Sequence, residues 1–106
     1  MLKQITLVCI MSLLAISSTS FAQSPGADIY KSKCQSCHAA DGSGNTPAGK
    51  SMKVRPFNSP EVVKMSDDDL IQVTRDGRGK MPAYAGKLTD DQIKAVVAHI
   101  RTLQGK

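Results

Sequence analysis

The stretch KSKCQSCHAADGSG, residues 31–44, contains the residues on which the fold of this chain depends. Cys34 and Cys37 are separated by two residues, and His38 follows Cys37 directly. On a helical turn, side chains at positions i and i+3 lie on the same side. The pattern therefore brings two thiols and an imidazole to one point of the chain.

Four interpretations of this pattern compete. A disulfide between Cys34 and Cys37 closes a very small loop and adds little stability to a domain. A thioredoxin-like redox pair needs an alternating α/β chain, and the sequence after residue 22 has no patterns typical of strands. A structural zinc site usually needs four ligands, and the one further Cys or His after residue 22 is His99. The fourth interpretation is covalent haem attachment, which Cys-x-x-Cys-His indicates.

We favour covalent haem attachment, because it accounts for all three residues together. Each thiol adds to one vinyl group of the macrocycle and becomes a thioether, and the imidazole of His38 then binds the iron as an axial ligand. A large apolar cofactor also supports a chain that is too short to build an extensive core. The sequence therefore predicts heme c, with its iron, as the cofactor.

The N-terminal residues have the layout of a secretory signal peptide. A lysine precedes an apolar run over residues 5–16, and Ser20 and Ala22 stand at the −3 and −1 positions of a cleavage site. The apolar run is shorter than the roughly 20 residues of a transmembrane helix, and an uncleaved anchor is the alternative. We predict a signal peptide at 1–22, a single domain at 23–106, and export to the periplasm without membrane insertion after cleavage.

Apolar spacing and capping signals predict four helices in the exported domain. They run over about 26–37, from Ser59, from Ser66 to about Gly77, and from Thr89. The last has the clearest signals, because Thr89 and Gln92 are spaced for a capping box and apolar residues follow at helical spacing. Residues 39–57 are rich in Gly, Pro, Ser and Asn and are predicted to be a loop. The predicted fold is all-α, with four short helices around one haem.

The loop GRGKMPAYAGK, residues 77–87, contains our candidate for the second axial ligand. Histidine and a methionine thioether are a usual ligand pair in haem electron carriers. Met81 stands in this loop with a proline after it, which stiffens the chain. The rival ligands are Met52, Met65 and His99, or an open coordination position. We predict that His38 and Met81 bind the iron.

Together these residues resemble the class I cytochromes c, small single-haem carriers of bacterial periplasms and mitochondria. The resemblance covers residues 25–103. The pieces that carry it are Gly26, Tyr30, CQSCH at 34–38, NTPAGK at 45–50, GKMPAY at 79–84 and LTDDQIKAVVAHIRTL at 88–103.

The resemblance implies several structural features. The first and last helices cross closely at Gly26, with Tyr30 packed at the crossing. The carbonyl of Pro47 accepts a hydrogen bond from Nδ1 of His38, which raises the donor strength of the imidazole. The family commonly has Tyr or Phe where this chain has His99, so the aromatic contact at the crossing is in question here.

The implied function is a periplasmic electron carrier and not an enzyme, shuttling one electron between respiratory or photosynthetic-type protein partners. Without Lys3, the chain keeps 13 of its 14 Lys and Arg against 9 Asp and Glu, a balance of +4. This suits partners with acidic docking surfaces, and no aromatic interleaving suggests nucleic acid. The candidate steering residues are Lys33, Lys50, Lys53, Arg55, Arg78, Lys80 and Lys87. We predict a monomer; the alternatives are a haem enzyme or ligand sensor and a subunit resident on one dehydrogenase or oxidase.

Overall fold

The computed structural model describes residues 25–105, which form helices joined by short segments. The helices are α1 Pro25–Lys33, α2 Gln35–His38, α3 Pro47–Ser51, α4 Pro60–Val63, α5 Asp67–Asp76 and α6 Asp90–Leu103. Within this range there are no strands, only isolated bridges in the loop between α5 and α6. The predicted all-α fold class is confirmed. The predicted signal peptide at 1–22 lies outside the described residues.

The first predicted helix is divided into two. α1 ends at Lys33, and the turn α2 begins at Gln35. Cys34 lies between them with φ of −115° and ψ of −32°, whereas an α-helical residue has φ near −63°. The backbone thus bends at the first cysteine, which the spacing of residues alone did not indicate.

A short helix, α3, occupies part of the stretch 39–57 that the sequence predicts to be a loop. Its N-cap is Thr46, whose side-chain oxygen accepts a hydrogen bond from the amide of Gly49, and Pro47 is its first residue. These are ordinary signals for the beginning of a helix. The prediction of a loop was wrong for Pro47–Ser51 because the surrounding Gly- and Ser-rich sequence masked them.

The other predicted helix starts agree with the structure. Thr89 and Gln92 form a reciprocal capping box at the start of α6. At the start of α5, the hydroxyl of Ser66 accepts a hydrogen bond of 3.1 Å from the amide of Asp69. Ser59 occupies the N-cap of α4 but does not cap with its side chain. Its hydroxyl instead donates to the carbonyl of Pro56 at 2.7 Å.

α1 and α6 cross at close range in the centre of the fold. A Cβ atom on Gly26 would lie 2.6 Å from the carbonyl carbon of Ala95 in α6, and closer still to its oxygen. Tyr30 is 1% exposed, and its ring centroid lies 5.0 Å from that of His99. The close crossing is confirmed, and the imidazole of His99 provides the ring contact at the position where the family commonly has Tyr or Phe.

Replacing Gly26 with alanine is expected to lower the free energy of unfolding by about 2 kcal/mol, because the added methyl group meets backbone atoms that cannot rotate away. Denaturant unfolding of the holoprotein measures this change. Gly105→Ala is the matched control, since nothing lies within 4 Å of a Cβ at Gly105. If Gly26→Ala unfolded at the same midpoint as the wild type, the helices would not be in contact at this point.

The apolar face of α6 forms much of the core. Its buried residues are Ile93, Val96, Val97, Ile100 and Leu103. Val96, Ile100 and Leu103 belong to a cluster with Tyr30 and Phe57. No helix among residues 25–105 has both the length and the apolar composition needed to cross a bilayer.

Candidate functional site

A cavity of about 590 Å³ lies beside the core. Its volume is in the range of natural ligand sites, about 300–1,000 Å³. Apolar side chains from several elements line it, namely Val54, Phe57, Val62, Leu70, Val73, Val96 and Ile100. Cys34, His38 and Met81 also line it, so predicted attachment and ligand residues from separate parts of the chain meet at one cavity. Cys37 and Pro47 are not among the lining residues.

The bent segment between α1 and α2 presents the cysteines. The amide of Cys34 donates a hydrogen bond of 2.9 Å to the backbone carbonyl of Tyr30, and the amide of His38 donates one of 3.0 Å to the carbonyl of Cys34. Both Cys34 and Cys37 have free, partly buried thiols. Burial, followed by the charge of Cys37, raises the pKa of Cys34 to about 11. A thioredoxin-like redox pair needs an alternating α/β chain, and residues 25–105 form no strands, so that interpretation is disfavoured.

The zinc interpretation is also disfavoured. In the part of the chain that the structure describes, no three His, Cys, Asp or Glu side chains gather into a group that could hold a metal ion. The donors at the cavity are a thiol, an imidazole and the thioethers of several methionines, a set that suits the covalent attachment and axial ligation of haem.

The imidazole of His38 is in the state that a metal ligand requires. Burial lowers the pKa of His38, so the ring is neutral at physiological pH, and neutral imidazole is the form that binds metals. Its ring stacks on that of Phe57, with centroids 4.6 Å apart and planes 19° apart. Nδ1 is buried and has no hydrogen-bond partner among the described residues. The predicted bond from Nδ1 to Pro47 is therefore not formed in this structure.

α3 is docked against the turn that holds Cys37 and His38. The hydroxyl of Thr46 donates to the carbonyl of Cys37 at 2.9 Å and accepts the amide of Gly49 at 2.8 Å. The amide of Gly44 donates to the carbonyl of His38 at 2.8 Å. Thr46 thus joins the N-terminus of α3 to the cysteine turn, and Pro47, the next residue, is held in the same segment.

The loop that carries Met81 is folded back onto the end of α5. Met81 and Arg78 exchange backbone hydrogen bonds of 2.9 and 3.2 Å. Gly77 ends α5 with φ of 77°, and a Cβ there would lie 2.7 Å from the carbonyl oxygen of Met81. Gly77 is therefore needed both for its positive φ and for the close approach of the loop that brings Met81 to the cavity.

The rival ligands are in different places. His99 packs against Tyr30 at the helix crossing and is not among the residues that line the cavity. Met52 and Met65 do line it, but Met52 is 42% exposed. Three methionines therefore line the cavity, and by position alone each of them is a better candidate for the second iron ligand than His99.

Basic side chains border the cavity on its exposed side. Of the predicted steering residues, Lys53, Arg55, Arg78 and Lys80 line it, together with one acidic residue, Glu61. Arg55 and Glu61 form an exposed ion pair of 3.5 Å. We call the four basic residues of the cavity lining, Lys53, Arg55, Arg78 and Lys80, the basic rim.

Sequence reasoning missed three residues that support the site. They are Phe57, Thr46 and Tyr84. The hydroxyl of Tyr84 donates to the carbonyl of Lys33 at 2.9 Å, and burial, with smaller effects from Cys34 and Cys37, raises the pKa of Tyr84. Thr46 and Tyr84 stand in the stretches that resemble the family, but no local spacing shows which distant groups they bind.

Comparisons with known proteins show what the chain is similar to. A family model described as cytochrome C oxidase, cbb3-type, subunit III matches residues 21–100. Cytochrome c6 of Thermosynechococcus vestitus is 33% identical over 106 residues, covering 94% of this chain and 91% of that protein. The solved structure of the KustC0563 c-type cytochrome is similar with a TM-score of 0.67 and 32% sequence identity. The match covers 74% of this chain and 96% of the KustC0563 chain. The cbb3-type cytochrome c oxidase subunit CcoP of Azospirillum brasilense is 29% identical over 98 residues. The match covers 33% of the length of that subunit.

Proposed function

The chain belongs to the class I cytochromes c, and we propose that it is a periplasmic carrier whose haem iron is held by His38 and Met81. It is an electron carrier with covalently bound haem c, and not an enzyme. The observation that carries the proposal is the cavity of about 590 Å³, which Cys34, His38 and Met81 line together.

Each of these residues has a separate role. The thiols of Cys34 and Cys37 would hold the haem as thioethers, and the bound haem would supply a one-electron couple between ferric and ferrous iron. His38 and Met81 would hold the iron, and the uncharged, soft thioether of Met81 would favour its reduced state. Leu70 and Val96 are buried apolar residues of the cavity lining, and such a low-dielectric surrounding would disfavour the added positive charge of the oxidised state.

Pro47 is proposed to complete the support of His38. Nδ1 of His38 is buried and without a partner among the described residues, and an unpaired buried donor is costly. The resemblance to the class I cytochromes c names the carbonyl of Pro47 as its acceptor. The bond is not formed in this structure; once formed, it would hold the tautomer in which Nε2 is free to bind iron.

An optical spectrum of the purified holoprotein tests the ligand pair. The oxidised protein is expected to show a sulfur-to-iron charge-transfer band, and the reduced protein is expected to bind CO only slowly, because His38 and Met81 would both be iron ligands and Met81 would have to leave first. A high-spin spectrum at neutral pH, or rapid binding of CO, would contradict this assignment and favour a haem enzyme or ligand sensor.

The proposed location and partners rest on the sequence. We propose that residues 1–22 direct export to the periplasm and are removed, and that the mature protein is a monomer that meets redox proteins with acidic surfaces. The basic rim supports the choice of partner, because complementary charge guides brief encounters. The similarity to oxidase subunits supports a second candidate, a resident oxidase subunit, which would co-purify with a larger complex instead of eluting alone.

The basic rim predicts a marked salt dependence of electron transfer. Oxidation of the reduced protein by anionic hexacyanoferrate(III) is expected to slow roughly tenfold between about 10 mM and about 1 M salt. Reduction of the oxidised protein by cationic hexaammineruthenium(II) should instead become faster as salt is added, because salt screens the repulsion between like charges. Stopped-flow rates measure both responses, and a rate with hexacyanoferrate(III) that does not change with salt would refute steering by these cations.

A further inference from the structure

Tyr84 connects two segments of the chain that the proposed haem site uses separately. It lies in the same loop as Met81, and its hydroxyl donates to the carbonyl oxygen of Lys33 at 2.9 Å. Lys33 is the last residue of α1 and directly precedes Cys34. The bond therefore joins the loop that bears the proposed thioether ligand to the segment where haem is attached.

The backbone of Tyr84 is held on a third element. Its amide donates to the carbonyl of Thr74 in α5 at 3.1 Å, and the next amide, of Ala85, donates to Arg75 at 2.9 Å. Tyr84 is thus fixed to α5 through its main chain and to α1 through its side chain. Tyr84 therefore fixes the position of the Met81 loop relative to both α1 and α5.

Between these anchors the loop is held by its own turn and by the close approach of its backbone to Gly77. Met81 pairs with Arg78, a partner in the same turn, and the chain around it at Gly79, Lys80 and 82–83 is exposed. Segments with exposed backbone and few buried contacts open locally at low free-energy cost. Any added bond at the end of the loop therefore changes how often the loop opens.

We propose that the hydrogen bond from Tyr84 to Lys33 is a latch that keeps the Met81 loop closed and so limits how often the Met81 thioether leaves the iron. The latch rests on the proposed function, because it requires Met81 to be the ligand. Tyr84 acts through the loop, so it is a positioning residue and not a catalytic one.

The size of the effect follows from the strength of one hydrogen bond. The net contribution of such a bond corresponds to a roughly two- to tenfold change in an equilibrium constant. Lys33 is exposed, so water replaces the tyrosine hydroxyl when the bond is lost. The latch therefore tunes the population of the open loop but does not abolish ligation by Met81.

The test is the Tyr84→Phe holoprotein, which keeps the aromatic ring and loses only the hydroxyl. CO binding to the reduced protein reports departure of Met81, and its rate is expected to rise roughly two- to tenfold. The sulfur-to-iron band of the oxidised form should remain. Ser32→Ala is the control, because the Ser32 hydroxyl donates to Ile29 at 3.2 Å within the same helix and does not reach the loop.

Equal CO rates in Tyr84→Phe and the wild type would overturn the latch. So would an equal acceleration in Ser32→Ala, since it would show that any weakening of α1 has this effect. A wild-type protein without the sulfur-to-iron band overturns the proposed ligand and the latch together. If the wild type has the band and resists CO while Tyr84→Phe has an unchanged rate, the latch fails alone.

Discussion

A variant in which alanine replaces both Cys34 and Cys37 is expected to yield no stable holoprotein. Without the thioethers, the haem is held only by its axial ligands and is lost on export and purification. The cavity of about 590 Å³ is then left without its occupant. The apolar lining then loses the contacts that the macrocycle would make with it, and a domain this small has little other core to compensate, so the variant is expected to be unfolded or only partly folded.

Two measurements check this expectation. Haem staining of a denaturing gel reports covalent attachment, and circular dichroism with limited proteolysis reports the fold. Cys9→Ala is the matched control, because Cys9 lies in the predicted signal peptide and takes no part in attachment. If the double variant proved folded and resistant to protease without haem, the cofactor would not be the centre of the core.

Met81→Ala is expected to have the largest effect on the iron while leaving haem attachment intact. The methyl side chain cannot coordinate, so the reduced protein should bind CO readily and the sulfur-to-iron band should disappear. The midpoint potential is expected to fall by on the order of a hundred millivolts, within the roughly 0.8 V range that axial ligands control. Redox titration and CO difference spectra measure these changes.

The other methionines of the cavity provide matched controls. Met52 and Met65 both line it, so Met52→Ala and Met65→Ala remove the same side chain from the same surroundings. Both variants should keep the charge-transfer band and resist CO, with small shifts in potential from altered packing. If either of them, and not Met81→Ala, opened the iron to CO, the ligand would have been assigned to the wrong loop.

The supporting contacts of the site could not be predicted from the sequence. The stacking of Phe57 on His38, the bond from Thr46 to Cys37 and the bond from Tyr84 to Lys33 join residues with no helical or strand spacing between them. Such contacts depend on how helices and loops pack, and side chains of many types can meet the same geometric need.

The contact of His99 at the centre of the fold also could not be predicted from the sequence. Its place on the face of α6 follows from helical periodicity, but its partner Tyr30 lies on another helix. From the sequence alone it was both a rival iron ligand and a substitute for an aromatic residue. The packing of α1 on α6 puts it against Tyr30 and away from the cavity lining.

The amino-acid sequence by itself determined the chemistry of attachment and the helical class, because both depend on neighbouring residues. Cys34, Cys37 and His38 lie within one turn, and the side chains of Ser66 and Thr89 accept hydrogen bonds from amides three residues away. Only the tertiary structure decided that Met81 meets His38 at one cavity. That meeting requires the crossing of α1 and α6 and the folding of the Met81 loop onto α5, and these depend on long-range packing that no local pattern encodes.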